Sequence, residues 1–287
     1  MERKITPKWA NVWGFFAATF VVAWLIWSPA ILWRGDEPNL LFVVLGTFAP
    51  SVMGIVFTYL TQDRAGWRDF WARVIDVRRI GWRWWIVIVL VFPVVNAVAN
   101  VLYTFLGGTP PSLTEVGKNL ANPGLMFQLV LANLIISGFS EELGWRGYAL
   151  DRLQRRWGAL AASLILGLVH GFWHIPLFFI PGITQGEMGL FSVGALVFLA
   201  GTVAGAVVFT WVYNNTQRSI LAAILLHFMV NLCLDLLVGL QGALPTGYSA
   251  VYTGLVILLD LFIVAAWGAN TLTGRHWPFT SRKVSAA

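Results

Sequence analysis

Leu125-Met-Phe-Gln-Leu-Val-Leu-Ala-Asn-Leu-Ile-Ile-Ser-Gly-Phe-Ser-Glu-Glu-Leu-Gly-Trp-Arg146 is an apolar run that ends on two adjacent carboxylates and an arginine. The run is long enough to cross a bilayer, where an ionised side chain costs several kcal/mol unless it has a partner or a task. Glu141 and Glu142 point about 100° apart on a helix, so they face different surroundings. Glu142 and Arg146 stand four residues apart with the acid first, the favoured order for a helical ion pair. This spacing predicts that Arg146 neutralises Glu142 and leaves Glu141 free to face a cavity as a general base. The alternative at this point is an ion-paired helix end at the headgroups.

The rest of the chain repeats the apolar theme. Of 287 residues, 58% are hydrophobic and 11% charged, with 16 Trp and 20 Phe, and the mean hydropathy is +0.73. This is the composition of a polytopic membrane protein. We count eight runs of spanning length, at approximately 11–33, 39–62, 84–107, 124–148, 157–180, 189–213, 218–240 and 249–269. The first lacks a small-residue cleavage site and reads as a retained helix rather than a signal peptide. Pro50, Pro93 and Pro176 lie inside runs and predict kinks. The expected fold is all-α, a single membrane domain over 1–287 with a polar intramembrane cavity and a core at 120–240.

Basic residues order these runs. The net charge of +6 would suit nucleic acid, but Lys and Arg lie between the runs, which excludes that partner and makes them topology signals. All but Arg34 and Lys118 fall on one side of an eight-span arrangement, the N-terminal Arg3, Lys4 and Lys8 and the tail Arg275, Arg282 and Lys283 included. By the positive-inside rule that side is cytoplasmic, with both termini, and the location is a cell membrane. Residues 61–83 carry Trp67, Trp71 and Trp82 with Phe70, Val74 and Ile75 at helical spacing, which fits either an amphipathic surface helix or a plain loop before an aromatic belt. Gly167 with Gly171, and Gly201 with Gly205, have the small-residue spacing of close helix packing. The single Cys233 excludes an intramolecular disulfide and a multi-cysteine zinc site.

Two further apolar runs carry polar groups. His170-Gly-Phe-Trp-His174 places two imidazoles four apart on one face. His227-Phe-Met-Val-Asn231 places an imidazole and an amide on one face, both able to donate hydrogen bonds to an oxyanion. Asp235 and Asp260 fit a polar cavity or a bond to a neighbouring helix and are given no catalytic role. His276 reads as an interfacial residue of the basic tail.

The ordered set resembles the CAAX-protease and bacteriocin-processing membrane proteases, also called the Abi family, which includes the type II CAAX prenyl endopeptidase. The family pattern is Glu-Glu-xxx-Arg, then Phe-xxx-His, then His-xxx-Asn or Asp. Glu141, Glu142 and Arg146 match the first part, His174 the second, and His227 with Asn231 the third. His170 stands where the family has phenylalanine, which favours packing for it.

The resemblance implies an intramembrane endopeptidase in which Glu141, assisted by His174, activates water. His227 and Asn231 would stabilise the oxyanion, and Glu142 and Arg146 would organise the site. The substrate would be a membrane-associated protein or peptide within the lipid bilayer. Metal-dependent and metal-free mechanisms are both compatible. Glu141, His174 and His227 could supply three zinc ligands with water as the fourth. The rivals are a non-catalytic immunity or scaffold protein and a proton-coupled transporter.

One depth conflict remains. At 1.5 Å per residue, Glu141 and His227 lie about 13 Å from their cytoplasmic helix ends and His174 about 24 Å from residue 158. This predicts that the fifth helix starts in the cytoplasm near Arg155, or tilts.

Overall fold

The computed structural model describes residues 11–35, 37–238 and 244–273, which are helical and contain no strand. Arg3, Lys4, Lys8, Arg275, His276, Arg282 and Lys283 lie outside them. Helix α1, Val12–Leu32, begins where the Asn11 side chain caps the amides of Trp13 and Gly14. The second apolar run is broken into α2, Leu40–Thr47, and α3, Ala49–Thr61, with Pro50 in the first turn of α3. Proline is tolerated there because that amide has no partner within the helix. Helix α4, Arg64–Ile75, buries Phe70, Arg73 and Val74, and leaves Trp71 and Ile75 exposed. It is therefore an amphipathic helix and not a plain loop. Helix α5, Trp82–Phe105, runs through Pro93 without ending, and the short α6, Leu113–Leu120, follows it.

The charged run is the centre of the fold. It is α7, Pro123–Ala132; a π-helical segment, Asn133–Phe139; α8, Ser140–Gly144; a second π-helical segment, Trp145–Leu150; and α9, Asp151–Trp173. The rod breaks once, at Gly158, whose φ of 74° and ψ of 178° are far from helical. The chain folds back there, because Trp145 and His170, on opposite arms, have ring centroids 5.2 Å apart. The amides that open the second arm are satisfied from outside, by Ala159 N to Asn270 O at 2.8 Å and Leu160 N to Ala269 O at 2.9 Å.

Among the described residues seven helical stretches are long and apolar enough to cross a membrane, and one of them, Pro123–Phe179, is 57 residues long. Its two arms coincide with the fourth and fifth runs of the eight. The hairpin also removes the depth conflict, but not as expected. It is the first arm that extends beyond Leu150 to the tip, so the fifth helix starts at Gly158 and not near Arg155. The second arm ends at Trp173, and Pro176 falls in a short 3₁₀ turn, Ile175–Phe179, instead of kinking a helix.

The remaining elements are the short α10, Thr184–Met188, and the long α11, Val193–Asn215, α12, Ile220–Val238, and α13, Thr246–Trp267. Helix α3 packs on α8, α12 on the first π segment, and α11 on both α9 and α13. The contact of α3 with α8 is backbone on backbone: a Cβ on Gly144 would stand 2.1 Å from Pro50 O, and one on Gly54 would stand 2.6 Å from Leu143 O. Gly167 is also at a close approach, 2.7 Å from Val203 Cα, whereas Gly205 meets nothing. The outer faces carry exposed apolar side chains, among them Ile86, Leu90, Val94, Leu258, Leu261 and Phe262. Such a surface suits lipid and not water. The protein is an all-α, multi-pass membrane protein.

Candidate active site

A cavity of about 550 Å³ opens between the central hairpin and α11, α12 and α13, and Glu141, Arg146, His170, His174, His227 and Asn231 all line it. The structure thus brings three separate sequence elements to one wet pocket.

The central rod and α12 run side by side and are joined by three polar rungs. Asn133 Nδ2 donates to Asp235 Oδ2 at 2.8 Å. Asn231 Nδ2 donates to Ser137 Oγ at 2.8 Å. His227 Nδ1 donates to Glu142 Oε1 at 2.8 Å. On α12 the rungs are spaced by four residues, as an α-helix requires. On the rod the last step, Ser137 to Glu142, is five. The π-helical segment supplies the extra residue, since its turns are wider than those of an α-helix. A regular α-helix would set Glu141 opposite His227. The wider turn sets Glu142 there and rotates Glu141 into the cavity. Gly138 permits the approach, because a Cβ there would meet Ile224 O at 2.8 Å.

Glu142 is wholly buried and tied off. Arg146 Nη1 donates to its two oxygens at 2.8 and 3.0 Å, so the predicted ion pair is present. The Arg146 guanidinium also lies 4.3 Å over the Phe209 ring, whose edge meets His227.

Glu141 has no cation to neutralise it within its own helix. Trp145 Nε1 donates to its Oε2 at 3.2 Å. His170 Nε2 lies 2.7 Å from the same oxygen, yet off the line of a hydrogen bond, and it has no hydrogen-bond partner among the described residues. His170 does pack between Trp145 and Trp173, but packing is not all it does. His174 Nδ1 is 2.8 Å from His170 O. A carbonyl only accepts, so Nδ1 carries the proton and neutral His174 keeps a lone pair on Nε2. Phe198 meets the His174 ring edge-on at 5.2 Å.

Ligand atoms of Glu141, His170 and His174 lie within 4.8 Å of one another, the only such group among the described residues. The anticipated trio of Glu141, His174 and His227 is not the one whose ligand atoms converge; His170 takes the place of His227, whose Nδ1 is directed at Glu142. The partnerless Nε2 of His170 and the free Nε2 of His174, with one carboxylate, form a two-histidine, one-glutamate set of the kind that holds catalytic zinc. By donor chemistry these residues fit a metal.

Residues 123–233, which contain Glu141, Glu142, Arg146, His170, His174, His227 and Asn231, match the family model described as type II CAAX prenyl endopeptidase Rce1-like. A curated protein of Methanococcus maripaludis, CAAX prenyl protease 2, is 28% identical over 253 residues, spanning 86% of this chain and 93% of that one.

Over residues 123–233 the chain is similar to the Rce1-like CAAX endopeptidases.

That similarity supports a membrane-embedded protease over the immunity and transporter readings. Sequence reasoning missed two parts of this site. Asn133 and Ser137 lie eight and four residues ahead of Glu141, a spacing visible in the sequence that points them to the cavity face. Phe198 and Phe209 carried no signal, because two phenylalanines in an apolar helix look like any others. Asp235 proves to do both things open to it, lining the cavity and bonding a neighbouring helix. Asp260 is buried outside the cavity lining, with an Oδ1 that has no hydrogen-bond partner among the described residues.

Proposed function

We propose that Glu141 is the general base of a peptide-bond hydrolysis carried out inside this cavity on a membrane-associated protein or peptide. The observation that carries the reading is the division of labour between two adjacent glutamates. Glu142 is neutralised by Arg146 and His227, and Glu141 faces the cavity between a tryptophan N–H and two imidazoles.

Glu141 takes a proton from a water molecule, and the His174 Nε2 lone pair accepts a hydrogen bond from the same water and orients it. The resulting hydroxide adds to the scissile carbonyl. The oxyanion is held by the second N–H of Asn231, whose first is spent on Ser137, and by Nε2–H of His227. Because Nδ1–H of His227 is directed at Glu142, that Nε2 donor belongs to the imidazolium form, for which Glu142 is the counter-charge. Glu141 then delivers its proton to the leaving amine, and the C–N bond breaks. A zinc ion held by Glu141, His170 and His174 would supply a bound water of lowered pKa and a polarised carbonyl.

The catalytic unit is residues 120–240 within one membrane domain. The relative's name, CAAX prenyl protease 2, supports peptides with a C-terminal CAAX sequence as the first substrates to try. Arg73, Arg79 and Arg218 gather at the hairpin-tip end of the molecule, which supports a cytoplasmic location for that end and for both termini.

The test is cleavage of CAAX peptides, prenylated and unprenylated, by purified protein in lipid. Glu141→Gln is expected to lower the rate at least ~100-fold, the usual scale of general-base removal. Its unfolding temperature should be unchanged, because the amide oxygen can still accept from Trp145. Full activity in that variant would overturn the assignment.

A further inference from the structure

The polar ladder does not stop at the catalytic groups. Its outermost rung is Asn133 and Asp235, on the side of His227 away from Arg218, and both line the same cavity as Glu141. Asn133 is buried, and its side-chain amide donates to Leu129 O at 3.0 Å as well as to Asp235. Its two N–H groups are thus spent, and Asp235 Oδ2 is fixed in place. Among the described residues Asp235 Oδ1 accepts no hydrogen bond and no cation pairs with this carboxylate. Ala132, Ile136, Leu234 and Val238 beside this rung in sequence line the cavity with hydrocarbon, and Thr246, Ser249 and Tyr252 add neutral polar groups to the lining. A carboxylate oriented by a neutral amide in a largely apolar cavity is costly until a cation reaches it.

Asp235 follows His227 by eight residues, which is about 12 Å along the helix. An extended peptide covers that length in three to four residues at ~3.3–3.6 Å each. We propose that Asp235 is a specificity-determining residue of the endopeptidase. It takes a lysine or arginine side chain of the substrate three or four residues from the scissile bond, and it rejects a carboxylate there. The inference rests on the reading that the scissile bond sits by Glu141 and His227. It names a second position of the substrate that the cavity selects.

The experiment uses fluorescent apolar decapeptides in which one position at a time is Lys, Gln or Glu. Binding is measured to the full-length Glu141→Gln protein in nanodiscs, and cleavage is measured with the wild type. In one register the Lys peptide is expected to bind at least tenfold more tightly than the Glu peptide, with Gln between them. In Glu141→Gln carrying Asp235→Asn the difference collapses to less than threefold, because Asn keeps the acceptor for Asn133 and loses the charge. Equal binding of Lys and Glu peptides at every position overturns the subsite, and that comparison needs no change at Asp235. An unaltered preference in the Asp235→Asn protein overturns it as well. Cleavage without any charge preference sinks the subsite and leaves the hydrolase reading standing. Charge-selective binding with no cleavage by the wild type sinks the hydrolase reading and leaves the subsite.

Discussion

Glu142 Oε1 lies 2.8 Å from His227 Nδ1, and the same oxygen lies 2.8 Å from Arg146 Nη1. One buried carboxylate therefore orders the arginine of its own helix and the histidine of another. It orients the His227 ring and fixes the register between the central rod and α12. A second, adjacent carboxylate is then free for chemistry.

Removing that charge should strand Arg146, whose guanidinium is buried and pairs with no other carboxylate among the described residues. Glu142→Gln is expected to destabilise the protein by about 3–5 kcal/mol, the usual result of breaking a buried pair from one side. Thermal unfolding in lipid nanodiscs reads this out. A double-mutant cycle with Arg146→Met should return a coupling of at least ~1 kcal/mol. Additive losses in that cycle would show that the pair does not act as a unit.

The close approach of α3 to α8 should be intolerant of one methyl group. Gly144→Ala puts a Cβ 2.1 Å from the Pro50 carbonyl oxygen, and backbone cannot step aside as a side chain can. A loss of roughly 3 kcal/mol is expected, the upper end of overpacking costs. Catalytic rate should fall at least tenfold, because α8 carries both glutamates. Gly254→Ala, with nothing within 4 Å of its added carbon, is the control and should be neutral or slightly stabilising.

Zinc titrated into the protein should find Glu141, His170 and His174. Calorimetry or a competing chromophoric chelator gives the affinity without reference to activity. His170→Phe removes one of three donors and should weaken binding more than tenfold, while packing of the ring between Trp145 and Trp173 survives. His227→Gln should leave zinc affinity within threefold. The opposite pattern would return His227 to the donor set.

Asp151 closes the tip end of the hairpin and should matter to stability rather than chemistry. It accepts from Tyr213 at 3.1 Å and from Arg73 at 3.3 Å, and it pairs with Arg218. Burial would lower the pKa of Arg218, but Tyr213 and Asp151 more than offset it and hold the guanidinium above its ordinary range. Gln217 and Arg218 adopt φ of 53° and 60°, a left-handed turn held by Arg218 N to Tyr213 O and by Arg79 to Gln217 O. Asp151→Asn is expected to cost about 3–5 kcal/mol by denaturation. The rate per folded molecule should stay within threefold, since Asp151 is not among the residues that line the cavity.

The amino-acid sequence by itself determined the membrane class, the eight apolar runs, the three motif positions and the Glu142–Arg146 pair. Each of these depends on composition or on spacing within one helix, where 1.5 Å of rise and 100° of rotation per residue hold without reference to neighbours. Tertiary structure alone decided the fold-back at Gly158, the capture of Glu142 by His227 and the convergence of His170 on Glu141. It also decided the π-helical step that turns Glu141 inward. Those features depend on how far two helices slide and rotate against each other. That register is set by backbone contacts such as Gly144 on Pro50 and Gly138 on Ile224, between residues far apart in the chain, which no periodicity along one strand of sequence encodes.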